Sequence, residues 1–192
     1  MKKIYFTMMV LLGLLPLTSK GQAQKIQLGA SGGLTVPFVD FADAVQSGIG
    51  GSLIFKYFAT EHIALGGNVG YYKFPGRELD FGLGFGGLQI SPDVNIIPVN
   101  ATAEWFIGRS ETLRPRLGVD MGVYFVGNNG EDAENKAYFG FSPVIGSGYR
   151  ISEKVELFAD TKFNVILTKE QEDIPTTSYL SVNVGVMVNI GK

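Results

Sequence analysis

The sequence predicts an all-β fold, namely an eight-stranded antiparallel up-and-down transmembrane β-barrel. Three observations support it: a short apolar leader, eight later runs in which apolar and polar side chains alternate, and a high glycine content of 26 in 192 residues. After the leader, no stretch approaches the roughly 18 consecutive apolar residues that indicate a membrane-spanning helix. Alternation with a period of two residues indicates strands, so the chain is built mainly from sheet.

The composition argues against several classes of function. Sixteen basic and 18 acidic residues give a formal charge of −2, without the excess of basic residues typical of a nucleic-acid-binding protein. The chain has no cysteine, which excludes a disulfide framework and a thiolate metal site. It has one histidine, which excludes a histidine-rich metal centre. We therefore predict no metal, no cofactor and no nucleic-acid partner.

The first 23 residues have the features of a secretory signal peptide. Lys2 and Lys3 precede an apolar stretch at 4–17, and a short polar region ends at Ala23 with small residues at the expected spacing. The apolar stretch is shorter than the ~20 residues that a spanning helix needs. We expect cleavage after Ala23, which leaves 24–192 as the barrel domain.

The alternating runs define eight predicted strands, and each is long enough to cross a bilayer when tilted, which takes about 9–11 residues. They cover approximately residues 25–36, 48–58, 62–73, 94–106, 114–127, 138–151, 155–168 and 178–191. Short and long connections alternate between them, as expected for tight periplasmic turns and longer outer loops.

Each run has one apolar face and one face that carries the charges and glycines. Ile97, Leu157 and Val184 are typical of the apolar face, which bears no charge in any run. An eight-stranded barrel is just wide enough for its own side chains to fill. Because buried unpaired charges are costly, we predict that the inward charges neutralise one another. This predicted lumen network comprises Lys56, Glu104, Arg116, Asp120, Arg150, Glu156, Asp160 and Lys162.

Alternation alone also fits a soluble barrel whose apolar face points inward. Two further features favour the inside-out arrangement of a membrane barrel, since the polar face is rich in glycine and aromatic residues border the apolar face at both ends. The predicted girdle consists of Tyr57, Trp105 and Tyr149 at one end, and Tyr71, Phe125, Phe139 and Tyr179 at the other. With the export signal, this arrangement predicts that the protein resides in the cell outer membrane.

Three segments carry a resemblance to a known family. They are the stretch at 64–71 after a short turn, the stretch at 113–119 that opens the fifth run, and residues 142–151 before another short turn. The mature chain resembles the OmpA/OmpX-like eight-stranded outer membrane protein β-barrel family, especially the small porin-family barrels of Bacteroidota. The resemblance implies a Gram-negative outer membrane with lipid and lipopolysaccharide as surroundings, and other outer-membrane proteins as partners.

Three functional classes remain open at this stage. The leading expectation is a non-enzymatic barrel whose loops serve envelope structure, adhesion or docking to a larger complex. The second is a narrow porin or channel. The third is a lipid A-modifying enzyme with the sole histidine, His62, as its base, although no serine follows at the His-x-Ser spacing. The glycine-rich stretch at 82–87 lies in a predicted loop and is not a nucleotide site, and the acidic loop at 128–135 lacks the EF-hand spacing.

Overall fold

The structure is a computed structural model that describes residues 26–80, 88–90, 93–108, 110, 112–128, 136–167 and 177–190. The predicted leader, the loop residues 81–87 and the acidic loop residues 129–135 lie outside the described residues. The elements in chain order are β1 (Ile26–Phe38), α1 (Asp40–Ala44), β2 (Gly48–Phe58), β3 (Ile63–Phe74), β4 (Glu78–Asp80), β5 (Leu88–Ile90), β6 (Val94–Phe106), β7 (Leu113–Asn128), β8 (Lys136–Arg150), β9 (Val155–Leu167) and β10 (Thr177–Asn189).

Eight of these strands form a closed antiparallel barrel in the order β1-β10-β9-β8-β7-β6-β3-β2. The first and last strands close it, with Gly33 opposite Asn183 in their register. The predicted fold class is confirmed. The bounds of β2 and β6 agree with the predicted runs, and every other barrel strand begins and ends within two residues of its prediction.

The two ends of the barrel differ in their connections. At the short-turn end, residues 59–62, 107–112 and 151–154 join neighbouring strands. A hydroxyl group stabilises each of these three turns. Thr60 Oγ1 accepts from Ile63 N at 3.0 Å, Ser110 Oγ accepts from Leu113 N at 3.1 Å, and Ser152 Oγ accepts from Val155 N at 3.1 Å. The long-loop end carries two elements that the alternation pattern does not predict, the helix α1 and the separate β4–β5 hairpin.

The outer surface of the barrel is apolar. Ile97, Leu157 and Val184 are 40%, 43% and 64% exposed, and they point away from the lumen. Their sequence neighbours of opposite parity, such as Glu156 and Asn183, are buried inside. None of the helices in the described part of the chain is long and apolar enough to span a membrane.

Candidate functional site

The middle of the lumen holds a series of ionic contacts, which we call the central ion-pair series. Lys56 Nζ lies 2.6 Å from Glu104 Oε2, and Arg116 Nε lies 3.3 Å from Glu104 Oε1. The same guanidinium also contacts β9, because Arg116 Nη2 donates to Asp160 Oδ2 at 3.0 Å. All four side chains are buried. Arg116, on β7, therefore joins carboxylates on two other strands, Glu104 on β6 and Asp160 on β9.

A second group of polar contacts lies beside the central ion-pair series. Lys162 Nζ donates to Asp120 Oδ2 at 2.8 Å, and Asn68 Nδ2 donates to the same oxygen at 2.9 Å. Asn183 Nδ2 donates to Asp160 Oδ1 at 3.0 Å. The two neutral amides thus add hydrogen bonds to carboxylates that are already paired with a cation, which lowers the cost of burying them.

Near the short-turn end, the structure adds a residue that the sequence analysis omitted. Arg114 Nη1 donates to Glu156 Oε2 at 3.1 Å, and its guanidinium carbon lies 4.3 Å from the centre of the Phe106 ring. Arg150 lies half-buried opposite Glu156 in the register of β8 and β9. Arg114 has the same parity along β7 as Arg116 and Asp120, and this parity is the signal that could have found it.

The paired charges in the lumen balance. The cations Lys56, Arg114, Arg116 and Lys162 contact the carboxylates of Glu104, Asp120, Glu156 and Asp160. An uncompensated charge in this position would cost several kcal/mol, roughly 3–5 by analogy with broken buried pairs. A pore that selects ions carries a ring of charges of one sign. This lumen instead mixes positive and negative side chains.

At the long-loop end, apolar and aromatic side chains replace the charges. We call this group the outer aromatic cluster; its buried members are Phe41, Val45, Tyr72, Phe74, Ile96, Tyr124, Tyr138, Ile166 and Tyr179. These residues are not among the predicted lumen residues, which comprise only polar side chains of the inward face. Tyr72 and Phe74 have the parity of the inward Asn68 on β3, so the same alternation places them in the lumen.

The position of Tyr179 corrects a prediction. Tyr179 is a predicted member of the aromatic girdle outside the barrel, but its side chain is fully buried in the lumen. Tyr179 has the parity of the inward Ser181 and Asn183, whereas the outward residues of β10 are Val182 and Val184. Its ring centre lies 5.2 Å from that of Phe74, within the outer aromatic cluster.

The other predicted girdle residues lie on the outer surface. Tyr71, Trp105, Phe125, Phe139 and Tyr149 are exposed there, and Tyr57 is half-buried. Trp105 and Tyr149 lie towards the short-turn end, whereas Phe125 and Phe139 lie towards the long-loop end.

Glycines let the large inward rings lie against neighbouring strands. A Cβ atom on Gly140 would lie 2.7 Å from both Tyr124 Cε2 and the Val165 carbonyl oxygen. On Gly185 it would lie 2.6 Å from the ring of Phe158. Side chains fill the middle of the lumen because these strands offer bare backbone to the rings.

The remaining candidate, His62, lies half-buried in the turn between β2 and β3. Its backbone N donates to Thr60 Oγ1 at 3.2 Å, and its carbonyl oxygen accepts from Phe106 N at 2.8 Å. Its main chain therefore stabilises the turn. Within the described ranges, no group of three or more histidine, aspartate or glutamate side chains could hold a metal ion.

The fold defines a class of protein: an eight-stranded antiparallel barrel with an apolar exterior and an interior of paired charges. No family model matches the chain, and no curated protein matches it. Among solved structures, Neisserial surface protein A is similar with a TM-score of 0.66 at 14% identity, over 86% of this chain and 97% of that one.

Two further solved structures share the fold. The outer membrane protein OprG from Pseudomonas aeruginosa has a TM-score of 0.57 at 13% identity, over 90% of this chain and 99% of that one. Ail, the attachment invasion locus protein of Yersinia pestis, has a TM-score of 0.52 at 11% identity, over 88% of this chain and all of that one, 100%. The fold is therefore that of small outer-membrane barrels.

Proposed function

We propose that the protein is an integral, non-enzymatic outer-membrane barrel of the OmpA/OmpX-like type, anchored by its outer surface, with a lumen that side chains fill. Its loops serve envelope structure, adhesion or docking to a larger outer-membrane complex. The single observation that carries the proposal is the inside-out distribution of side chains: large apolar residues cover the outside, and paired charges lie inside.

The apolar exterior supports a lipid environment. Exposed hydrophobic side chains occur on every barrel strand, and in water each fully exposed large one forgoes about 1.5–3 kcal/mol of burial energy. A soluble barrel avoids this cost by turning the apolar face inward, whereas a bilayer removes it. The surroundings proposed for this surface are outer-membrane lipid and lipopolysaccharide, and its proposed neighbours are other outer-membrane proteins.

The contents of the lumen support a filling role rather than conduction. Oppositely charged side chains contact one another at 2.6–3.3 Å across the middle, and the outer aromatic cluster lies above them. Recording from the purified, refolded chain in a planar lipid bilayer tests the filling role. We expect no steady conductance above the lipid baseline. Stable single-channel steps would instead establish the narrow porin.

Two further experiments test the location and the absence of enzyme activity. Fractionation of cells that express the full chain should recover it in the outer membrane, beginning at residue 24. The lipid A profile, measured by mass spectrometry, should be the same for cells with the wild-type chain, with the His62→Ala variant and without the protein. Recovery in the soluble fraction contradicts the membrane assignment, and an altered profile in wild-type cells alone contradicts the non-enzymatic one.

A further inference from the structure

The helix α1 and the residue after it pack onto the outer aromatic cluster at the long-loop end of the barrel. Phe41 and Val45 are 6% and 0% exposed, although both belong to the connection between β1 and β2. The Phe41 ring packs edge-on against Phe74, with ring centres 5.1 Å apart. The segment 40–45 thus places Phe41 and Val45 in the outer aromatic cluster, while Asp40 and Asp43 on the helix are exposed.

Among the described residues, this segment is held by hydrogen bonds to residues 75–77 and by its buried side chains. Val45 pairs with Gly76 as an isolated bridge, in which Gln46 N donates to the Pro75 carbonyl at 2.8 Å and Arg77 N donates to the Ala44 carbonyl at 3.3 Å. The helix has no side-chain cap at its N-terminus. It is far shorter than the helices that are stable in isolation, so its position depends on these contacts and on the two buried side chains.

The residue before α1 is strained. Val39 has φ 52° and ψ −136°, a conformation that suits glycine and that a β-branched residue rarely adopts. Among the described non-glycine residues it is the one with a positive φ. Release of α1 would let Val39 return to an ordinary conformation, so the strain favours the open state.

The cluster beneath α1 contains a polar group that the fold leaves without a partner. The hydroxyl of Tyr179 is fully buried and makes no hydrogen bond to any described residue. A buried hydroxyl without a partner costs about as much as a lost hydrogen bond. A ligand that offered an oxygen at this point would remove that cost.

We propose that α1 is a displaceable plug over a blind ligand site, and that the site binds a small planar aromatic molecule carrying a hydroxyl or carbonyl oxygen. Phe41 occupies the position of the ligand ring in the closed state. Tyr179 donates a hydrogen bond to the ligand oxygen, and the rings of Tyr72 and Phe74 form the walls. This role goes beyond the envelope function proposed above, and it requires no conduction through the barrel.

The chain has no cysteine, so an engineered disulfide can fix α1 in its closed position without competing thiols. Val45 and Gly76 face each other as a non-hydrogen-bonded antiparallel pair, for which Cα atoms lie about 4.5 Å apart, within the range of a disulfide. The Val45→Cys/Gly76→Cys variant should hold α1 closed when oxidised and release it when reduced. The reduced form of the same protein is its own control.

Binding is measured by titrating the refolded full chain in micelles with 2-naphthol while following isotope-labelled isoleucine methyl signals by NMR. Ile96 and Ile166 belong to the outer aromatic cluster, whereas Ile54 lies in a separate buried group and serves as the internal control. We expect saturable shifts at Ile96 and Ile166 that are absent at Ile54. The oxidised disulfide variant should abolish them, and reduction should restore them.

Two substitutions should each weaken binding, for different physical reasons. Val39→Gly relieves the strain of the closed state and should weaken binding about tenfold. Tyr179→Phe removes the donor and should weaken binding about fivefold, as expected for one hydrogen bond, while leaving the fold intact. Shifts that do not saturate, that appear equally at Ile54, or that persist in the oxidised disulfide variant would overturn the proposal, whatever the outcome of the conductance and localisation experiments.

Discussion

Arg116, on β7, lies between the carboxylates of Glu104 on β6 and Asp160 on β9. Its Nη2 is 3.0 Å from Asp160 Oδ2, and its Nε is 3.3 Å from Glu104 Oε1. The guanidinium is only 1% exposed, and its planar fork suits two partners at once. This one cation therefore links β6, β7 and β9 inside the barrel. Lys56, which contacts Glu104, supplies the second positive charge that balances the two carboxylates.

Removal of this cation should destabilise the barrel more than removal of any surface cation. We expect Arg116→Met to lower the free energy of unfolding by about 3–5 kcal/mol, because two buried carboxylates then share a single lysine. The measurement is urea unfolding in lipid vesicles. Arg77→Met, at an exposed position in the long-loop region, is the control and should change the free energy by less than about 0.5 kcal/mol.

A double variant separates charge balance from lost packing. Arg116→Met/Asp160→Asn leaves Lys56 with Glu104, and the lumen charges are equal again. It should recover most of the lost stability, whereas Arg116→Met/Glu104→Gln leaves Lys56 and Asp160 apart and should recover little. Equal behaviour of the two double variants would show that packing alone decides the effect.

The second prediction concerns the stability effect of a substitution at an inward glycine. Gly140→Ala introduces a Cβ 2.7 Å from Tyr124 Cε2 and 2.7 Å from the backbone oxygen of Val165, so the strand must shift. The expected loss is about 1–3 kcal/mol in the same unfolding assay. Gly32→Ala is the matched control, because its Cβ would point outward and its nearest neighbour is 3.7 Å away. If both variants lost equal stability, the ring contact would not be the cause.

The third prediction concerns pH. The hydrogen bond from Lys73, at 2.8 Å, and then the one from Gly76 N lower the pKa of Asp93 below its ordinary value of 3.8. Since the folded-state pKa is the lower one, the stabilising contribution is present above the ordinary pKa and is lost as the pH falls through the folded value.

The carboxyl titration of Asp93, followed by NMR, checks this assignment. Lys73→Met should raise the pKa of Asp93 part of the way back, because the Gly76 N–H remains. Lys136→Met, on another strand, should leave it unchanged. A pKa of Asp93 that does not move in Lys73→Met would show that the lysine is not its main partner.

Strand positions and most side-chain orientations were predictable from the sequence, because one rule governs them. Alternation assigned Glu104, Arg116 and Asp160 to the lumen and Ile97 to the exterior, where the structure has them. The same rule, applied consistently, assigns Tyr179 to the lumen. The error arose because an aromatic residue near a strand end was assigned to the girdle without regard to its parity.

The details of the site were not predictable in the same way. Alternation shows that Arg114 and Glu156 point inward, but their pairing depends on the register of strands that are distant in sequence. The helix α1 lies in a loop, and so short a helix depends on the packing of Phe41 and Val45 into the cluster and on the bridge to Gly76. Its position is therefore a tertiary property that no local pattern encodes.

The outward face makes a fourth prediction. Val184 is 64% exposed in the middle of β10, where the proposal places the bilayer interior. We expect Val184→Lys to cost about 2–4 kcal/mol in vesicles, as for lysine near the midplane of a membrane barrel. Val184→Met should cost less than about 1 kcal/mol. A lysine tolerated as well as methionine would mean that this position faces water.

The most direct test of the inside-out arrangement uses the single tryptophan, Trp105. In a Trp105→Phe background, tryptophan is placed at position 184 on the outer face or at position 158 in the lumen, where Phe158 is 4% exposed. Fluorescence is then recorded in vesicles of lipids with brominated acyl chains. Quenching of the tryptophan at 184 but not at 158 is the predicted result. The reverse pattern, or quenching of neither, would contradict the account.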